Sequence, residues 1–307
     1  MRYWLIGLFI LLSGLPARAG DGVTFSASAG PAVPTARGAL YRISYHGHSA
    51  YLFGTIHVGR PDFFPLEQEA ARAFAAAHTY ALEVDVSDGA ALQAALAQRA
   101  SYAGNDTLDR HLSPAGLQRT RKALEKIEIP YAAVARAKPW MVANLFELTL
   151  LERAGYRSAE GVDVILLQQA QAQGKKIVAL ESAEYQMSLF DAMSDRDQEQ
   201  YLIDSLDEMQ SGETVRQLQE LLAAWEHADQ AALDAALRDV EADQSASGKF
   251  FREALLARRN PVMADKIAAL AQAEDGSFTG VGVMHLLGPG GIPQLLAKRG
   301  FEVTRIY

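Results

Sequence analysis

The stretch Ala50-Tyr51-Leu52-Phe53-Gly54-Thr55-Ile56-His57 decides how this chain folds. Apolar, aromatic and β-branched residues dominate it, so it reads as a buried strand, and it ends on an imidazole. Upstream, Ala39-Leu40-Tyr41-Arg42-Ile43 alternates as a strand does, and Gly47 in His46-Gly47-His48 offers the turn of a hairpin.

Three later segments repeat that ending. Tyr80-Ala81-Leu82 runs into Glu83, Ile177-Val178-Ala179-Leu180 into Glu181, and Gly282-Val283-Met284 into His285. Between them lie helical patterns: Leu66 to Ala77, and Ala90 to about Leu151 with breaks at Pro114, Pro130 and Pro139. Gly155 and Gly161 mark a loop before a helix from Val162 to Gln173, which Gly174 ends. Glu184 to about Ala257 is charged and helix-periodic, with Ser194 and Asp229 as caps, and another helix follows Asn260-Pro261 to Ala273. A short helix, Ile292 to Lys298, and a strand, Phe301 to Ile306, finish the chain. The expected class is α/β (α+β): a central mixed, largely parallel sheet with flanking helices. One domain over 39–307 carries a large helical insertion at about 184–257.

Composition narrows the function. With Lys and Arg at 29 against Asp and Glu at 37, the net charge of −8 leaves no basic footprint for nucleic acid. The start is a targeting segment: Arg2, an apolar run from Tyr3 to Leu12, a break at Ser13-Gly14-Leu15-Pro16, and the small-x-small triplet Ala17-Arg18-Ala19. The run is too short to span a bilayer, for which about 20 apolar residues are needed. Residues 1–19 are therefore expected to be a cleaved signal peptide and 20–38 a flexible lead-in. The mature chain is expected to be periplasmic or secreted, with no stable membrane anchor. With no cysteine, no disulfide braces the fold, and thiolate chemistry and Cys-rich zinc sites are excluded.

The strand ends carry the chemistry. Carboxyl ends of parallel strands share one edge, where ligands bind, so His57, Glu83, Glu181 and His285 are expected to meet there. Gly54-Thr55-Ile56-His57 echoes Gly282-Val283-Met284-His285, and Ala81-Leu82-Glu83 echoes Ala179-Leu180-Glu181. Every strand ends somewhere, and a single Glu or a single Gly-x-x-His is ordinary; the double recurrence points to one shared site. His46, His48, His78, His111 and His227 read as solvated. No HExxH, P-loop, dinucleotide fingerprint or nucleophile-elbow serine occurs, and Gly288-Pro289-Gly290-Gly291 reads as a turn.

At these residues the sequence closely resembles the TraB/GumN family, to which the Tiki-type metalloproteases also belong. The matching segments are Tyr51 to Gly59 with Pro65-Leu66, Ala81-Leu82-Glu83, and Gly155-Tyr156 with Gly161-Val162-Asp163. Gly174-Lys175-Lys176 through Glu181 with Gln186, Arg259-Asn260, and Gly282 to Gly291 complete them. The resemblance runs from about Leu40 to the C-terminus. It implies a fold similar to the erythromycin-esterase and haem-uptake lipoprotein folds, and metal-dependent peptide cleavage with His57, His285 and Glu83 as the implicated residues.

The leading expectation is a metal-assisted hydrolase of a peptide or small molecule. His57, His285 and Glu83 hold a divalent cation (Mn, Co, Zn or Fe), which imidazole with carboxylate suits. Glu181 is a fourth ligand or the base that deprotonates water, and Arg259 stabilises developing negative charge. Asp163, Tyr156 and Asn260 stand behind these as second-layer residues; a surface ion pair for Arg259 and a helix cap for Asp163 are the plainer alternatives. Two other functions stay open: a metal-free, esterase-like hydrolase with a histidine base beside Glu83, and a non-catalytic protein that binds haem or another ligand.

Overall fold

The hairpin forms where the sequence places it. In the computed structural model, which describes residues 38–307, β1 (Ala39–Tyr45) pairs antiparallel with β2 (His48–Thr55). His46 and Gly47 turn the chain, both at positive φ (47° and 91°), as a two-residue hairpin loop of this twist requires. The expected signal peptide and lead-in lie outside the described residues, apart from Gly38.

Four more strands complete the sheet: β3 (Thr79–Leu82), β4 (Lys176–Ala179), β5 (Ser277–Gly282) and β6 (Glu302–Arg305). Their order is β4-β3-β5-β2-β1-β6. The pairs β2·β5, β5·β3 and β3·β4 are parallel, while β1 is antiparallel to β2 and β6. The sheet is thus mixed and mostly parallel, as the α/β reading expects. All four strands that end in His or Glu run the same way, so their carboxyl ends meet at one edge. β3 and β5 are buried along their whole length, as strands covered on both faces must be.

Helices cover the sheet. In chain order they are α1 (Gln68–Ala76), α2 (Gly89–Ala95), α3 (Pro114–Lys126), α4 (Tyr131–Val134), α5 (Pro139–Arg153), α6 (Val162–Ala172) and α7 (Ala183–Asp191). There follow α8 (Asp195–Ser211), α9 (Glu213–Glu226), α10 (Gln230–Ala242), α11 (Ala246–Phe250), α12 (Arg259–Ala273) and α13 (Ile292–Lys298). Pro114 and Pro139 open helices instead of breaking them, since a first-turn proline forfeits no hydrogen bond. Pro261 does the same inside the first turn of α12, so this helix begins at Arg259, two residues earlier than the Asn260-Pro261 break suggests. Ser194 and Asp229 cap α8 and α10 with side-chain oxygens on the third residue's N–H.

Trp225 docks α9 against β2 and the segment after it. Its indole is fully buried, donates from Nε1 to the Gly54 carbonyl at 2.7 Å, and packs against Phe53 and Phe63. Truncating such a ring to alanine costs about 3–5 kcal/mol, so Trp225 contributes substantially to holding α9 against the strand that delivers His57. Between α11 and α12 the chain makes a π-helical turn, Phe251–Ala257, which lies over the sheet edge.

Candidate functional site

His57, Glu83, Glu181 and His285 do meet at the carboxyl edge. Each follows its strand by one to three residues, and all are buried. Beyond the strands the ladder continues: Leu180 donates to the Leu82 carbonyl at 2.8 Å, and Glu181 to the Glu83 carbonyl at 2.7 Å. His285 sits on a 3-10 turn, Val283–Leu286, that closes directly after β5.

The histidines are oriented from behind. After His57 the chain is stitched to the segment before α6: Gly59 and Arg157 exchange two 2.9 Å hydrogen bonds, and Val162 donates to the Ile56 carbonyl at 2.8 Å. That stitch needs Gly161, where a Cβ would lie 2.5 Å from the His57 carbonyl oxygen. It also brings Asp163, in the first turn of α6, to Nδ1 of His57 at 3.2 Å. A carboxylate can only accept, so Nδ1 carries a proton, and in the neutral ring Nε2 presents a lone pair. Asn260 does the equivalent for His285. Its Nδ2 donates to the Gly290 carbonyl at 2.8 Å, which turns Oδ1 toward Nδ1 of His285 at 2.5 Å. Again Nε2 is left as the acceptor.

Both Nε2 atoms look toward Oε1 of Glu83, at 3.9 Å from His57 and 3.7 Å from His285. These gaps are too long for hydrogen bonds. Three lone-pair donors therefore share one small space, and its floor is Gly282. That residue's N–H donates to Glu83 Oε1 at 2.7 Å, and a Cβ there would stand 3.1 Å from His57 Nε2 and 3.3 Å from Glu83 Oε1.

The other oxygen of Glu83 pairs with Nη2 of Arg259. Arg259 also forks onto Glu181, with Nε at 2.9 Å and Nη2 at 2.7 Å from Oε2. Gln186, one turn into α7, bridges the two carboxylates with its amide nitrogen, 2.8 Å from Glu181 Oε2 and 3.3 Å from Glu83 Oε2. Glu181 is thus committed to Arg259 and Gln186. Arg259 is 1% exposed, so the plainer reading of it as a surface ion pair does not apply. Tyr156 lies under the Arg60 guanidinium, 5.4 Å from it to the ring centre, and takes no part in the hydrogen bonds that join the others.

Electrostatics follow from this packing. Burial works to raise the pKa of Glu83, but Arg259, the two imidazoles and the Gly282 N–H outweigh it and hold the group far below the carboxylate range. Burial pushes His285 down to about 3, against the pull of Glu83 and helped by Arg259 and His57, so its ring is neutral. Burial also opposes a charged His57, yet Asp163 and Glu83 prevail and its pKa is raised. Three carboxylates (Glu83, Asp163, Glu181) face one guanidinium, a formal charge of −2 when both imidazoles are neutral.

A match to the TraB/PrgY/gumN family model spans residues 39–305. The chain belongs to the TraB/PrgY/gumN family. Its similar relatives include the proteins named Uncharacterized protein YbaP of Shigella flexneri and of Escherichia coli (strain K12), each 26% identical over 80% of this chain and 87% of the relative. No solved structure matches.

The residues of this TraB/PrgY/gumN chain match a cation in the chemistry of the donor set, two imidazoles and a carboxylate, but not in spacing. Among the described residues no three His, Asp or Glu side chains close into a ready-made cage. Metal–nitrogen and metal–oxygen bonds near 2.1 Å in a tetrahedron put neighbouring ligand atoms about 3.4 Å apart. The 3.7 and 3.9 Å gaps exceed that by a few tenths of an ångström, so a bound cation would require these atoms to move closer. Gln186 is the partner to which the sequence assigns no role; it stands five residues after Glu181, the spacing that a loop followed by one helical turn needs to fold back on it.

Proposed function

We propose that this chain is a metal-dependent hydrolase of the cell envelope, acting on a peptide or another acyl compound. The observation that carries the reading is the convergence of His57 Nε2, His285 Nε2 and Glu83 Oε1 on one small buried space, with Asp163 and Asn260 behind the two rings. Three buried carboxylates against one guanidinium leave excess negative charge, which already favours a proton on His57 and which a divalent cation would offset in its place. The apolar run from Tyr3 to Leu12 and Ala17-Arg18-Ala19 support export.

His57, His285 and Glu83 would hold the ion; when bound it lowers the pKa of water and polarises a carbonyl. Asp163 and Asn260 keep both Nε2 lone pairs aimed inward and make the rings better donors. Arg259 holds Glu83 by Oε2 and the Gly282 N–H holds it by Oε1, so that Oε1 faces the imidazoles. Glu181, held by Arg259 and Gln186, serves this reading as the anchor of Arg259. The surrounding side chains Phe251, Leu255 and Met284 keep bulk water away, which strengthens every charge interaction within.

The test is elemental analysis of the purified protein beside His57→Ala and His285→Ala, with circular dichroism to check folding. Each variant is expected to stay folded and lose its metal and its hydrolytic activity. A double variant that retains the wild-type metal content overturns the reading. A second reading rests on the Asp163–His57 pair, which has the form of a base with its orienting carboxylate; hydrolysis that persists in a strong chelator would favour it.

A further inference from the structure

Two hollows meet at this site. The inner one, lined by His57, His285, Arg259, Gly282 and the π-helical turn, measures about 10 Å³, room for about one water. The outer one measures about 150 Å³ and lies between α10, the π-helical turn and the Gly288-Pro289-Gly290 loop. Leu256 and Met284 line both, so these two side chains are the partition.

The outer hollow is apolar where it touches the partition: Leu237, Leu256, Met284, Leu287 and Pro289. Its charged groups are turned elsewhere or sit at the mouth. Arg252 donates to the Val240 and Asp243 carbonyls at the end of α10, and Glu241 is exposed. Asn260 connects the two spaces, because the amide that orients His285 also holds Gly290 of the outer wall. Met284 has three soft torsions with which to swing aside, and Leu256 sits in a π-helical turn, an irregularity frequent at functional sites.

We infer that the outer hollow is a side-chain subsite: it takes a leucine- to phenylalanine-sized apolar group on the acyl part of the substrate, next to the bond presented to His57 and His285. The inference rests on the hydrolase reading for its orientation. The volume matches one such group, since an apolar cavity of about 150 Å³ holds a benzene ring. Binding there turns Leu256 and Met284 aside and joins the two spaces.

The test compares glycine hydroxamate and leucine hydroxamate on the zinc-loaded protein, and toluene on the metal-free protein, read from the Met284 methyl in a methyl-¹³C methionine NMR spectrum. Leucine hydroxamate is expected to bind about 10- to 100-fold tighter, the worth of one buried isobutyl group, and toluene to shift the Met284 signal saturably. Leu237→Phe, and the bulkier Leu237→Trp, should abolish both effects and leave glycine hydroxamate unchanged. If neither hydroxamate binds while toluene still shifts Met284 and Leu237→Phe blocks it, the subsite stands and the metal reading falls. Equal affinities for the two hydroxamates, an advantage that survives filling, or an unmoved Met284 signal overturns the subsite.

Discussion

Asn260 and His285 share a 2.5 Å contact between Oδ1 and Nδ1, and the same carboxamide donates to the Gly290 carbonyl at 2.8 Å. The second bond decides the first. Because Nδ2 is engaged by a carbonyl, only the oxygen can face the ring, and the ring must donate from Nδ1.

Asn260→Ala removes that constraint and frees His285 to adopt the other tautomer. Metal affinity is expected to fall about 10- to 100-fold, the usual effect of losing the partner behind a ligating histidine, and stability by about 1–3 kcal/mol from the buried groups left unpaired. A competition titration against a chromophoric zinc chelator measures it. Wild-type affinity in the variant would mean that His285 is not a ligand or that Gly290 and Asn260 do not set its tautomer.

Arg259 holds two buried carboxylates, Glu83 and Glu181. Arg259→Gln keeps much of the volume but leaves both acids without their counter-charge. Breaking one side of such a buried arrangement costs about 3–5 kcal/mol, so the urea midpoint should fall clearly. Added Zn²⁺ should then restore part of the loss, about 2.7 kcal/mol at 100 times its dissociation constant. An unchanged midpoint would show that the triad contributes nothing to folding.

How much of this could be read from the chain depends on what the signal was. Four strands with His or Glu at their ends were visible because a buried strand is an apolar run and its end is a polarity step. Parallel order then gathers His57, Glu83, Glu181 and His285 at one edge. The division of labour between the glutamates was hidden. Ala81-Leu82-Glu83 and Ala179-Leu180-Glu181 look equivalent, but the register pairs Leu82 with Ala179. Glu181 therefore lies one residue farther along than Glu83 and meets Arg259 and Gln186. His111 read as solvated, whereas it is stacked on Tyr102 and sits 2.9 Å from both Asp106 and Asp195. Its partner Asp195 is 84 residues away, and no local pattern marks such a pair.

Another buried acid lies outside the strand-end cluster. Glu147 of α5 is 2% exposed and accepts from Ser205 of α8 at 2.9 Å. Burial raises its pKa well above the ordinary 4.5; the Ser205 hydrogen bond lowers it a little, and Glu208 raises it further. The folded chain thus keeps a proton on Glu147 at pH values where the unfolded chain has lost it. In that window the folded state binds more protons, so stability falls as pH rises, by at most about 1.4 kcal/mol per pH unit for this group. The effect is absent below pH 4.5 and grows until the folded-state pKa is passed. Glu147→Gln mimics the protonated form and can still accept from Ser205. It should match the wild type in urea unfolding near pH 4.5 and exceed it at pH 8, by about 1 kcal/mol or more. Parallel curves for the two proteins across that range would mean that Glu147 ionises normally between α5 and α8.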